Sequence, residues 1–173
     1  MFRDVRFWDT ELLSQVSLAR GTSYVSLTEH EHGGCELCRG LFGVGLGFGL
    51  HEGGHLLTNT FFQSEPYVKP VKGAGIPFFA ISHRKVLLPW QEAVVSSAGL
   101  WTQFALAETV LTRTPDLRRR RAPIQKGVLA FHVGLSVLYG IAGLGQWGPP
   151  ERDTRGIAEN LGVNEKWIGF MVL

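Results

Sequence analysis

The sequence predicts an all-α fold: a bundle of three or four helices that cross a membrane, preceded by a polar N-terminal region. Three long apolar segments, 40–62, 86–111 and 127–145, are the main observation. About 20 apolar residues are enough to cross a hydrocarbon core of roughly 30 Å. The segments 1–39 and 146–166 are polar by contrast. The near-neutral mean hydropathy of the chain therefore averages two different kinds of sequence.

These observations divide the chain into two regions. Residues 1–39 are expected to form a soluble N-terminal region, and residues 40–173 a membrane-embedded domain. The chain stops inside a fourth apolar run, 167–173, which predicts either a short fourth segment or a fragment.

Charge and cysteine content exclude several classes of protein. The net charge is +2 and the run Arg118–Arg121 is local, so no nucleic-acid partner is expected. The N-terminus lacks the apolar core of a cleavable signal peptide. Two cysteines, Cys35 and Cys38, provide no disulfide framework.

The first apolar segment, 40–62, is rich in glycine. The pairs Gly43/Gly47 and Gly45/Gly49 have the small-xxx-small spacing that lets membrane helices approach closely. A flexible glycine-rich loop is the alternative, but large apolar residues alternate with the glycines and favour a helix.

The connection after this segment, 63–85, contains an apolar stretch over 73–81. We expect a re-entrant strand or loop here, which must be shielded by protein or a wet cavity at membrane depth.

The connection between the second and third apolar segments, 112–126, carries five arginines and one lysine. Cytoplasmic loops of membrane proteins are enriched in such residues, so this connection and the Gly40 end of the first segment are predicted to be cytoplasmic.

The run His51-Glu52-Gly53-Gly54-His55 lies inside the first apolar segment. Residues four apart share one face of a helix, so the two imidazoles can bind one metal ion. Glu52 would act as the catalytic base that takes a proton from the attacking water. A metal-free helix, with both histidines bonded to backbone carbonyls, is the alternative.

A catalytic zinc site needs a third protein ligand. Asp153, which follows the third apolar segment, is the first candidate, although it could equally be a helix N-cap. Glu108 and Glu92 come next, since an unpaired carboxylate in an apolar segment is costly. Glu108 could instead lie at headgroup level near the end of its helix, and Glu92 could pair with Arg84 or Lys85. His132 could be a ligand or proton relay, or could make one hydrogen bond between helices.

A second cluster, His30, His32, Cys35 and Cys38, precedes the first apolar segment. Its residue types suit a structural zinc site. A polar loop with two free thiols and a redox-sensing pair are the alternatives.

These motifs resemble the site-2 protease family of intramembrane zinc metalloproteases. The run HEGGH at 51–55 is similar to the HExxH of that family, and 73–79 to the membrane-associated strand region that follows it. Ser97–Gln103 lies where the family has an Ala-Gly-Pro motif ending in Asn, without that Pro and Asn. Asp153 lies about where compact members carry the aspartate of Leu-Asp-Gly.

The resemblance implies Zn²⁺ held by His51, His55 and Asp153, with Glu52 as the base. It also implies hydrolysis of a peptide or membrane-protein substrate within or near the lipid bilayer, in an integral protein of the bacterial inner membrane. Two other functions stay open. One is a non-proteolytic membrane protein with a structural or vestigial metal site. The other is a soluble HExxH zinc peptidase whose third ligand is Glu92 or Glu108.

Overall fold

A computed structural model describes residues 35–73 and 76–173. These residues form five helices and one β-hairpin, so the prediction of a mainly helical fold is confirmed. In chain order the elements are α1 (Glu36–Phe61), β1 (Pro66–Gly73), β2 (Ile76–His83), α2 (Pro89–Arg113), α3 (Pro123–Gly145), α4 (Asp153–Leu161) and α5 (Glu165–Val172).

The three predicted apolar segments correspond to α1, α2 and α3, with every boundary within four residues of its prediction. Helices α2 and α3 begin at Pro89 and Pro123. Proline suits the first helical turn because its missing N–H has no partner there in any case.

One helix in the described residues, α3, is long and apolar enough to cross a membrane by length and composition. A buried helix of a soluble protein or a signal sequence can have the same properties. The glycines and polar residues of α1 and α2 lower the hydropathy of those helices. A bundle that crosses the membrane three or four times therefore stays a prediction.

The apolar stretch after α1 forms the hairpin of β1 and β2. The strands are antiparallel, with Pro66 opposite His83 and Gly73 opposite Ile76. The expected strand is thus present, and β1 is a partner that was not predicted. The ring of Phe79 in β2 packs edge-on against Phe48 of α1, with centroids 4.9 Å apart.

Glycines set the distance between α1 and α3. A Cβ atom added at Gly43 would collide with the backbone of Ile124, and one at Gly47 would meet the ring of Phe131. The stripe of Gly43 and Gly47 therefore packs as predicted. The second stripe, Gly45 and Gly49, faces no atom within 4 Å. Only one of the two predicted stripes packs within the described chain.

The remaining helices, α4 and α5, pack on α2 and α3. Helix α5 packs on α3 through Gly169 and Gly143, and α4 packs on α2 through Gly156 and Ser96. A small apolar core between α2, α4 and α5 contains Leu100, Ile157, Ala158, Ile168 and Val172. This core fixes α4 with its first residue facing the motif on α1.

Candidate metal site

Three buried side chains meet at the start of α4. Nε2 of His51 lies 3.4 Å from Oδ2 of Asp153, and Nε2 of His55 lies 3.4 Å from Oδ1 of the same carboxylate. One ligand atom from each residue lies within 4.8 Å of the other two. The three predicted metal ligands are therefore brought together, although Asp153 is about 100 residues from the histidines in sequence.

Asp153 is the first residue of α4, and Arg152 occupies the N-cap position. The alternative interpretation of Asp153 as the N-cap is therefore wrong. Burial alone raises the pKa of Asp153, but the charge of the adjacent His55 and His51 imidazoles lowers that pKa to about 2. The side chain is thus an ionised carboxylate at neutral pH, as a metal ligand must be.

A buried ion pair holds the backbone beside Asp153. Nε and a second guanidinium nitrogen of Arg152 each donate to one oxygen of Glu165, both at 2.6 Å. Thr154 donates from its hydroxyl to the same carboxylate at 2.9 Å. The residues on both sides of Asp153 are therefore tied to α5. The sequence analysis missed this ion pair because Arg152 precedes α4 and Glu165 lies in α5, so only the packing of these helices brings the two together.

The carboxylate of Glu52 lies beside the group. Its Oε2 accepts a hydrogen bond of 2.8 Å from the backbone N–H of Ile81 in β2. Glu52, His55 and Asp153 line the same cavity, which has a volume of about 80 Å³. The hairpin therefore fixes one carboxylate oxygen and leaves the other for chemistry in the cavity.

Tyr139 of α3 also lines this cavity, and its ring centroid is 6.2 Å from that of His51. The sequence analysis did not identify Tyr139. Its spacing of 14 residues before Asp153 carries no local pattern that would have marked it. A phenol can donate a hydrogen bond to a substrate carbonyl oxygen.

The two histidines differ in what holds them. Nδ1 of His55 pairs with the backbone carbonyl of Val95 at 2.8 Å, which directs Nε2 toward Asp153. Nδ1 of His51 has no hydrogen-bonding partner among the described residues. Ligand histidines usually have such a partner at the second nitrogen.

Helix α2 approaches the site through Gly99. A Cβ atom at this position would lie 2.5 Å from Cε1 and 2.6 Å from Nε2 of His51, and would also collide with His55. A side chain of any size here would therefore occupy the space between the two imidazoles.

We expect Gly99→Ala to weaken metal binding by at least about tenfold, because the methyl group must displace a ligand ring. Gly53→Ala, inside the motif but with no atom within 4 Å of its added Cβ, is the matched control and should bind metal normally. Isothermal titration with Zn²⁺, with helical content followed by circular dichroism, measures both. Equal affinity of the two variants would contradict this packing.

The other candidate ligands lie outside the group. Glu92 pairs with His83 at 2.8 Å rather than with Arg84 or Lys85. Glu108 is exposed and accepts from Thr112 one turn away. His132 is 1% exposed but does not belong to the group of three. Neither carboxylate is therefore positioned to be the third ligand.

The second predicted cluster is only partly described. Cys35 and Cys38 are exposed free thiols at the beginning of α1, where the N–H of Cys38 donates to Sγ of Cys35 at 3.4 Å. His30 and His32 lie outside the described residues. The structural zinc site and the redox pair both stay predictions.

Comparison with known proteins gives no further assignment. No protein-family model, no curated protein and no solved structure matches this chain.

Proposed function

We propose that this chain is a membrane-embedded zinc metalloprotease that hydrolyses peptide bonds in or near the lipid bilayer. The observation that carries the proposal is the convergence of His51, His55 and Asp153, with Glu52 in the wall of the same cavity. Two imidazoles, a carboxylate ligand and an adjacent free carboxylate form the set of groups that zinc-dependent hydrolysis requires.

The donor geometry fits zinc. Bonds of about 2.0–2.1 Å at a tetrahedral angle separate neighbouring donor atoms by about 3.3–3.4 Å. Each histidine nitrogen lies 3.4 Å from a different oxygen of Asp153, and one donor atom from each of the three residues lies within 4.8 Å of the other two. Oδ2 of Asp153 has no hydrogen-bonding partner within the described part of the chain. Three protein donors leave a fourth position open, as in catalytic zinc sites.

Zinc in this position would polarise the scissile carbonyl and make water acidic near neutral pH. Glu52 takes the proton from the attacking water and delivers it to the leaving amine. The Ile81 N–H holds Oε2 of Glu52, so the carboxylate keeps its orientation through both transfers. The hydroxyl of Tyr139 is available to donate to the substrate carbonyl oxygen.

The surface of α1 supports a lipid environment. Its buried residues are Gly43, Gly47, His51, Glu52, Gly54, His55 and Asn59. Its large apolar residues other than Phe48 face outward, and Leu57 and Phe61 are 72% and 80% exposed. A helix of a water-soluble protein buries its apolar face. The inverse pattern, with small and polar residues inside, is typical of helix packing in membranes.

The distribution of positive charge supports an orientation. A Cβ atom added at Gly40 of α1 would lie 3.9 Å from the carbonyl oxygen of Pro123, so the start of α1 is beside the arginine-rich connection 112–126. Under the positive-inside rule this end is cytoplasmic. His51 is about 22 Å along α1 from Glu36, at 1.5 Å per residue, so the cavity lies nearer the opposite surface.

The variant Glu52→Gln tests the proposal. It should keep zinc, because the metal donors are intact, and lose cleavage by at least about 100-fold, because general-base catalysis contributes about 10²–10⁴-fold. The measurements are zinc content by mass spectrometry and cleavage of casein and a fluorescent transmembrane peptide by the purified protein in detergent.

The matched control is Glu151→Gln, which changes a second carboxylate in the wall of the same cavity. Glu151 pairs with Lys69 at 2.9 Å, so it is not free to act as a base. This variant should retain cleavage. Wild-type protein that holds zinc but leaves both probes intact would favour the non-proteolytic alternative. Release of the chain from membranes by carbonate would favour the soluble peptidase.

A further inference from the structure

Besides Oδ2 of Asp153, four buried polar side-chain atoms have no hydrogen-bonding partner among the described residues. They are Nδ1 of His51, both ring nitrogens of His132 and Oε1 of Gln103. The three side chains are 1%, 1% and 0% exposed, so bulk water does not reach them. Leaving a buried polar atom without a hydrogen bond is costly, so a group of four such atoms requires an explanation.

Helix packing brings the three residues into one layer. Gly99 of α2 lies against the ring of His51, and Gln103 is one helical turn further along the same face. The amide nitrogen of Gln103 donates to the carbonyl of His132 at 3.3 Å. Phe131, the residue before His132, has its ring centroid 6.4 Å from that of His51. Helices α1, α2 and α3 therefore approach one another at this level, and the side chains of all three residues are buried.

The hydrogen-bonding capacities of these atoms match. A backbone carbonyl can only accept, so the NH₂ group of Gln103 must face His132, and its Oε1 is a free acceptor. When Nε2 of His51 binds the metal, the proton of its neutral imidazole lies on Nδ1, which is then a free donor. A neutral imidazole at His132 adds one donor and one acceptor. Two donors and two acceptors are thus left, and they pair completely in one order only: His51 to His132 to Gln103.

We propose that His132 and Gln103 are positioning residues for the metal site, joined to His51 by a buried hydrogen-bond chain. These atoms are not bonded to one another in this structure, so the hydrogen-bond chain closes by small rotations of the side chains or through trapped water. Trapped water in proteins typically bridges buried polar groups that would otherwise be unpaired. This inference rests on the proposed function only in taking His51 as a metal ligand.

The hydrogen-bond chain would give Nδ1 of His51 a fixed partner, which Nδ1 of His55 already has. Nδ1 of His55 pairs with the carbonyl of Val95, which fixes its tautomer and the direction of Nε2. The same fixation at His51 increases ligand basicity and removes rotational freedom that metal binding would otherwise have to restrict. His132 acts through His51 and does not touch the metal, consistent with its position outside the group of three ligands.

Two substitutions separate hydrogen bonding from packing. His132→Phe keeps an aromatic ring and removes both hydrogen-bonding atoms, while His132→Gln keeps one donor and one acceptor. We expect the phenylalanine variant to bind Zn²⁺ about 10–100-fold more weakly and the glutamine variant to remain close to wild type. Competition with a fluorescent chelator gives the affinity. Nitrogen NMR of the zinc-loaded wild type should show a proton on Nδ1 of His51.

The control is His83→Phe, which changes a histidine outside the bundle interior that pairs with Glu92 and should leave zinc affinity unchanged. If His132→Phe does not fold, Gln103→Met removes the terminal acceptor instead and should also weaken zinc binding. Wild-type affinity in a folded His132→Phe or Gln103→Met variant would overturn the inference, as would equal losses in the two His132 variants. Wild type that binds zinc without cleaving peptides would refute the proposed protease and leave this inference standing.

Discussion

Replacement of Asp153 by alanine should remove zinc from the purified protein. Two histidines remain, but the third donor is lost. Asp153 carries the only carboxylate within 3.4 Å of both imidazoles in the described chain. Loss of a residue that merely supports a ligand typically costs 10–100-fold in metal affinity. We therefore expect loss of a ligand itself to cost at least about 100-fold, with peptide cleavage lost in parallel.

Zinc content and thermal melting measure this effect independently. Ligand at 100 times its dissociation constant adds about 2.7 kcal/mol to the free energy of unfolding. Added zinc should therefore raise the melting temperature of the wild type and not that of Asp153→Ala. Glu108→Ala is the control, since Glu108 was a candidate ligand in the sequence and is exposed and remote from the group. An Asp153→Ala protein that still binds zinc tightly, or a Glu108→Ala protein that loses it, would refute the ligand assignment.

The part of the site on α1 could be predicted because it is local. His51 and His55 are one helical turn apart, and the helix itself is evident from an apolar segment of sufficient length. The spacing alone therefore puts both imidazoles on one face. The position of Asp153 after the third apolar segment and the resemblance to a family motif both favour it as a ligand, but no local pattern distinguishes a ligand from an N-cap. Only the packing of α4 on α2 decides between these two roles.

The supporting interactions could not be predicted because they join distant elements. Glu52 accepts from a backbone N–H of Ile81, a group present at almost every residue, so no side chain in the sequence marks it. Gln103 and His132 are 29 residues apart, on α2 and α3. Both helices pack against α1, and the face that α1 turns toward α3 depends on which of its glycine stripes packs. The two glycine stripes on α1 have the same four-residue spacing in the sequence. Only three-dimensional packing selects Gly43 and Gly47.

Loss of the buried ion pair beside Asp153 should have the largest effect on stability. Glu165→Gln leaves the guanidinium of Arg152 buried without a counter-charge, since the side chains are only 8% and 5% exposed. Removing one partner of a buried pair typically costs about 3–5 kcal/mol. Chemical denaturation of the metal-free protein in detergent, followed by circular dichroism, measures the change without any contribution from zinc.

The chain contains a matched control for this effect. Arg155 and Glu159 form a second pair with the same Nε to Oε1 distance of 2.6 Å, but their side chains are 43% and 61% exposed. Exposed pairs contribute about 0–1 kcal/mol, so Glu159→Gln should barely change stability. Arg152 also directly precedes Asp153, so Glu165→Gln should lower zinc affinity, while Glu159→Gln should not. Equal stability of the two variants would mean that the buried Arg152–Glu165 pair contributes no more than the exposed pair. Equal zinc affinity would mean that the packing of α4 alone holds Asp153 in place.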